Sequence, residues 1–224
     1  EKKERSDSTS PSEPSATETS SASTYNFEQI PAEESGLKFS NALVHDLTTK
    51  SNVFDHDYFY NGSGVGVEDI NNDGLMDIFF TGNQVPNKIY LNKGGLIFED
   101  ISASANVNPV NEKWSSGVTF ADVNNDGWMD IYVAQGGPYE KEQRKNLLLI
   151  NQQDNTFIEQ AAEYGLDDHG ISTHAAMFDY DKDGDLDCVV MNEKEYYGVY
   201  PSMFYKILTD KKELWENSSH LYRN

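Results

Sequence analysis

The sequence predicts an all-β chain: a partial β-propeller of about three four-stranded blades behind a flexible leader. Three observations carry this. A nine-residue acidic motif occurs three times, at Asp69–Asp77, Asp122–Asp130 and Asp179–Asp187, offset by 53 and 57 residues. The segments flanking it, such as Gly64–Glu68 and Ile78–Thr81, are short, β-branched and aromatic with glycine between, which is the composition of strands. After the first two motifs come two more apolar runs separated by a turn, so a unit holds four strands at the period of a propeller blade.

Each motif reads D-x-[DN]-x-D-G-x-x-D. A hard cation such as Ca²⁺ takes six to eight oxygens, and a loop coiling round it presents alternate residues inward. Glycine at position six permits the sharp turn, and the carbonyl of position seven can add an oxygen. Three Ca²⁺ sites follow. The first would use Asp69, Asn71, Asp73 and Asp77 with the Leu75 carbonyl; the second Asp122, Asn124, Asp126 and Asp130 with that of Trp128; the third Asp179, Asp181, Asp183 and Asp187 with that of Asp185. An EF-hand is excluded. It needs a glutamate at position twelve and helices on both sides, whereas position twelve is Phe80, Val133 and Val190 and the flanks are strands.

The chain has 224 residues, 38 acidic against 17 basic, and a formal net charge of −21. Eleven of the acidic residues lie in the three loops. Such a chain repels nucleic acid and anionic membranes, both polyanions, so neither is expected as a partner. A single cysteine, Cys188, precludes an intrachain disulfide framework and aligns with Ile78 and Ile131 as a small core residue.

In chain order, residues 1–24 contain no large apolar side chain and are rich in Ser, Thr, Glu and Pro, so they are expected to be a disordered tether. Residues 25–59 are a lead-in, with Phe27, Ile30, Leu37, Phe39 and Leu43 available for a strand or a lid over the first blade. Within it, Asp55-His-Asp-Tyr58 reads as a polar loop at the mouth of the fold. Residues 60–224 are the blades. The first runs through strands 64–68, 78–82, 88–91 and 96–100, with a turn at Gly94-Gly95; the second through 117–121, 131–134, 146–151 and 156–159. Small residues at one aligned position, Gly66, Thr119 and Ala176, and at another, Gly64 and Gly117, fit a crowded inner strand. His174 breaks the second column. His169 lies five residues earlier, and the pair is read as packed or hydrogen-bonded rather than as zinc ligands. Residues 196–216 form an aromatic-rich insertion in the third blade, and Ser219–Asn224 aligns with Asn87–Asn92. The third blade is therefore expected to lack its outer strand, and the sequence to be part of a longer chain.

The segments 64–80 and 117–133 resemble the FG-GAP (VCBS-type) repeats of integrin α-subunit propellers. Tyr58–Gly62, Pro86–Asn92, Phe98–Ile101, Ala161–Gly165 and Ser172–Ala176 are similar to the cartilage-acidic-protein-like (ASPIC-type) surface lipoproteins of Bacteroidetes, N-terminal portion only. The charged, Ser/Thr-rich leader of residues 1–24 looks like that of a bacterial lipoprotein just after its acylated cysteine, so membrane association is expected only through an N-terminal lipid anchor. The resemblance of the repeats implies a calcium-stabilised propeller of seven blades outside the cell, on the outer membrane or secreted. It implies binding rather than catalysis: a recognition or scaffold module with a protein partner in a cell-surface complex, a glycan, or both, serving polysaccharide capture with an outer-membrane transporter. The competing expectation is an extracellular lyase or hydrolase acting on polysaccharide with His56 or His174 in its cleft.

Overall fold

A computed structural model describes residues 27–49, 51–56, 58–109, 114–193 and 218–224. The expected tether (1–24) and the aromatic-rich insertion (196–216) lie outside the described residues. The chain divides into two units, Glu1–Ile30 and Pro31–Asn224. Of the first, residues 27–30 are described and adopt no regular structure; everything below concerns the second.

Three antiparallel sheets follow one another along the chain. The first is β1 (Val65–Glu68), β2 (Asp77–Phe80), β3 (Lys88–Asn92) and β4 (Phe98–Asp100), hydrogen-bonded in that order. The second repeats it with β5 (Trp114–Ala121), β6 (Asp130–Gly136), β7 (Leu147–Asn151) and β8 (Phe157–Glu159). The third orders β11 (His220–Tyr222), β10 (Asp187–Glu193) and β9 (Ile171–Phe178), without an outer strand among the described residues. Consecutive four-stranded meanders stacked face to face are propeller blades.

Side-chain alternation explains the stacking. Ile131 and Val133 of β6 and Leu147 and Leu149 of β7 join Phe79, Ile89 and Leu91 of the first sheet in one apolar cluster. Their neighbours Tyr132, Leu148 and Ile150 point the other way, into a second cluster with Ala175, Cys188 and Val190 of the third sheet. The middle sheet is thus covered on both faces, and every residue of β6 and β7 is buried. A strand covered on both faces reads as a continuous apolar run rather than an alternating one, as Leu147–Ile150 does. In β1, with one face covered, exposed and half-buried residues alternate.

The glycine columns mark where sheets approach most closely. A Cβ on Gly64 would sit 2.5 Å from the Ser116 carbonyl oxygen, and one on Gly117 2.5 Å from that of Thr173. At Gly66 it would meet the Phe120 ring at 2.5 Å. Thr119 instead uses its side chain, donating its hydroxyl to the Ala175 carbonyl at 2.6 Å.

The lead-in supplies a lid rather than a strand. It contains one short helix, α1 (Ala32–Ser35), and Phe39 stacks on Phe80 with ring centroids 4.9 Å apart. His56 is not part of an open polar loop. It is 2% exposed, edge-on to Trp114 at 5.2 Å, beside the fully buried Phe59.

Candidate metal centre

Each acidic motif is the connection between the first two strands of its sheet, β1–β2, β5–β6 and β9–β10. Position four lies in the left-handed region in all three, at Asn72 (φ 56°), Asn125 (58°) and Lys182 (65°), and so does the glycine at position six, at 85°, 85° and 100°. Two such residues separated by one coil the loop tightly. Asparagine tolerates this backbone better than most residues, and glycine at no steric cost.

The coil turns the side-chain oxygens inward onto its own backbone N–H groups. The N–H of Gly74 donates to Asp69 Oδ2 (2.8 Å), that of Gly127 to Asp122 Oδ2 (2.8 Å) and that of Gly184 to Asp179 Oδ2 (3.2 Å). Position-five carboxylates accept from the N–H of position seven: Leu75 to Asp73 (2.8 Å), Trp128 to Asp126 (2.9 Å) and Asp185 to Asp183 (3.1 Å). In the first two loops the position-three asparagine donates its amide to the position-five carboxylate, Asn71 to Asp73 and Asn124 to Asp126, both at 3.1 Å. The third loop has Asp181 there. Asp179, Asp181 and Asp187 each offer an oxygen, and these lie within 4.8 Å of one another.

The ninth position anchors the loop to the sheet. Asp77, Asp130 and Asp187 are all buried. In each, Oδ2 accepts from the backbone N–H of position two, at Ile70 (3.1 Å), Val123 (3.0 Å) and Tyr180 (2.8 Å). Each Oδ1 accepts from the N–H of an asparagine that closes the third strand, Asn92 (2.7 Å), Asn151 (2.8 Å) or Asn224 (3.1 Å). Asn151 also donates its amide to the Ile70 carbonyl of loop one (2.8 Å) and the Met129 carbonyl of loop two (3.1 Å). The Asn72 amide reaches the Gly127 carbonyl at 3.0 Å, so loops one and two touch. These bonds to Asn92, Asn151 and Asn224 were not expected from the sequence. The signal was their recurrence at the end of the third strand.

Electrostatically the loops favour a cation. Burial pushes the Asp130 carboxyl up to about 6; backbone hydrogen bonds from Asn151 and Val123 resist this, and the charges of Asp126 and Asp122 add to it. Asp77 is raised by the same burial, against hydrogen bonds from Asn92 and Ile70 and with Asp73 and Asp69 adding to it. Asp181 is raised by desolvation and then by Asp183 and Asp187. A divalent ion among these oxygens would relieve the repulsion, and the donor set, all oxygen, suits a hard one. Loops one and two present one carboxylate fewer each than loop three at the ligand positions.

The remaining sequence candidates separate into two groups. His56 and His174 line one cavity of about 330 Å³ together with Tyr58 and Glu193. His169 lies elsewhere, 3.2 Å from the Lys141 carbonyl and 3.6 Å from Asp167, so the His169–His174 pair does not form. Cys188 is buried in the second core, and burial pushes its thiol up to about 12, which leaves it unreactive.

Residues 69–133 match the family described as FG-GAP-like repeat. This chain carries such a repeat. The match begins at the first residue of loop one and ends on β6, after loop two. A stretch of 79 residues is also 39% identical to cartilage acidic protein 1 of Xenopus tropicalis, covering 35% of this chain. That stretch spans 12% of the length of the Xenopus protein. The repeat match accords with the blade architecture.

Proposed function

We propose that this protein is a calcium-binding, extracellular β-propeller module that serves recognition or scaffolding at a cell surface. One observation carries the calcium reading: three loops of the same coil present oxygen side chains at positions one, three, five and nine, and in loop three the oxygens of Asp179, Asp181 and Asp187 fall within 4.8 Å. The raised carboxyls of Asp77, Asp130 and Asp181 support it, because they record repulsion and burial that a bound cation offsets. Dissociation constants of about 10⁻⁴ to 10⁻³ M are typical of extracellular calcium modules. The location, the transporter complex and polysaccharide capture rest on the resemblance of segments such as Tyr58–Gly62 and Pro86–Asn92 to surface lipoproteins of the cartilage-acidic-protein type, and the N-terminal lipid anchor on the lipoprotein-like composition of residues 1–24.

Terbium luminescence tests the metal reading directly. Trp128 sits at position seven of loop two and Tyr180 at position two of loop three, so both are placed to sensitise a bound lanthanide. The expected result is a terbium signal displaced by millimolar Ca²⁺ and a melting temperature lowered by chelator. A melting temperature indifferent to chelator would sink the reading.

The enzyme alternative has one observation in its favour, the shared cavity of His56 and His174. Against it, His56 is almost wholly buried, edge-on to the Trp114 ring. Release of product from polysaccharide by the purified chain, lost in His174→Ala, would reverse the ranking.

A further inference from the structure

We propose that the cavity at the other end of the inner strands, away from the acidic loops, is a subsite for a single neutral sugar residue. This rests on the recognition reading and names its ligand class. β1 leads into loop one at Glu68, and the cavity lies at its opposite end, beside Gly64. The three sheets contribute one hydroxyl each at the same level: Ser63 before Gly64, Ser116 before Gly117, and Thr173 before His174. Where the first two sheets carry glycine, their backbones close tightly on the next sheet and form a floor. Where the third carries His174, an exposed imidazole stands up as a wall. Tyr58, 44% exposed, and Asn61 complete the lining from the lead-in side.

The lining chemistry selects the ligand. Among the described residues its lining contains no lysine or arginine, and the chain carries −21, so an anionic ligand is repelled. Glu193, the one carboxylate among the described lining residues, already has a partner of its own. The indole of Trp114 is 3% exposed and packed by His56 and Phe59, so the pocket is no aromatic cage for an ammonium group. What remains is neutral and polar. Among the described residues the Ser63 and Ser116 hydroxyls have no hydrogen-bond partner, while Thr173 donates to the Met191 carbonyl at 3.2 Å. Hydroxyls and an amide beside an exposed phenol ring suit a pyranose, whose hydroxyls pair with the polar groups while its C–H face lies on the ring. At about 330 Å³ the cavity is at the small end for ligand pockets, which run from about 300 to 1,000 Å³. It admits one ring and leaves a longer chain to extend outward.

The experiment is saturation-transfer NMR and calorimetry on the whole calcium-loaded chain. The probes are methyl glycosides of glucose, galactose and mannose, with glucuronate and choline as charged competitors. At least one neutral glycoside should bind with a millimolar dissociation constant. Tyr58→Ala and Ser116→Ala should each weaken it about fivefold to tenfold, the worth of one ring or polar contact, without moving the melting temperature by more than a few degrees. Circular dichroism melts of each variant separate loss of the site from loss of the fold. Absence of binding by any neutral glycoside, binding untouched by both substitutions, or preference for glucuronate or choline would each overturn the proposal. Sugar binding in a protein whose stability ignores chelator would retain this site and remove the calcium reading. A chelator-sensitive protein that binds none of the probes would do the reverse.

Discussion

At the scale of single residues, the same carboxylate chemistry serves two ends of the blade. Asp187 anchors a loop, while Asp168 anchors a strand. Asp168 is buried and accepts from the Tyr222 hydroxyl (2.6 Å), the Gly170 N–H (2.7 Å) and His220 Nδ1 (2.6 Å), tying β11 to the segment that follows the second blade. Burial pushes its carboxyl up, but the hydrogen bonds from Tyr222, Gly170 and His220 outweigh that and hold it below the ordinary value. A group depressed in the fold contributes stability that is present above its unfolded pKa, about 3.9, and is lost as pH falls through its folded value. Urea melts between pH 5 and pH 2 should therefore show a loss below about pH 4 that Asp168→Asn reduces, with Asp100, also held low, contributing to what is left. An unchanged slope in that variant would count against the assignment. Asn151 gives a second prediction. Its buried amide bridges Ile70 of loop one and Met129 of loop two, so Asn151→Ala leaves both carbonyls unpaired. A cost of about 1–3 kcal/mol in chemical denaturation is expected, and a variant as stable as the parent would count against the bridge.

At the scale of elements, the sequence revealed what is local and concealed what is not. The acidic loops were legible because a coil of nine residues holds its own spacing of oxygen side chains. The strands beside them were legible to within a few residues, because Leu147–Ile150 and Ile131–Ala134 are apolar runs that stop at polar residues. Where pairing depends on a distant partner, the reading slipped. β5 begins at Trp114 rather than at residue 117, since Trp114 and Ser115 pair with Gly136 and Gln135 across a register shift before Val118. A bulge of that kind breaks the alternation by which strands are recognised. His56 was concealed for the same reason: its neighbours in sequence are acidic, but its neighbours in space are Trp114 and Phe59. The third-strand asparagines belong here too, since they meet their loops only once the sheet has formed. Packing on both faces of the middle sheet predicts a contrast that a single-faced sheet would not give. Leu148→Ala, at the fully buried centre of β7, should cost about 2–5 kcal/mol, whereas Ile158→Ala on β8, 47% exposed, should cost much less. Similar losses at both sites would show that the second cluster is not a core.

At the scale of the whole molecule, the three blades put their acidic loops at the same end of their inner strands, and the charge of the chain gathers there. Loop two reaches loop one through the Gly127 carbonyl and the Asn72 amide, so their carboxylates repel across blades as well as within a loop. Nothing in the loops is basic except Lys182. Without metal, this repulsion opposes folding and is open to screening, because most of the loop carboxylates are exposed. The Debye length shrinks from about 10 Å at 0.1 M salt to about 3 Å at 1 M, so repulsion between exposed carboxylates weakens over that range. A bound divalent ion removes the same repulsion at source, and at 100 times its dissociation constant contributes about 2.7 kcal/mol per site. Salt and calcium should therefore substitute for each other. Raising sodium chloride from 0.1 to 1 M should stabilise the chelated protein clearly and the calcium-saturated protein little, as read by urea midpoints at fixed pH. Sodium chloride suits this test because its preferential exclusion from protein surface is weak, whereas sulfate would strengthen apolar burial in both forms. Equal salt responses with and without calcium would mean that the loop carboxylates do not govern the stability of the blades.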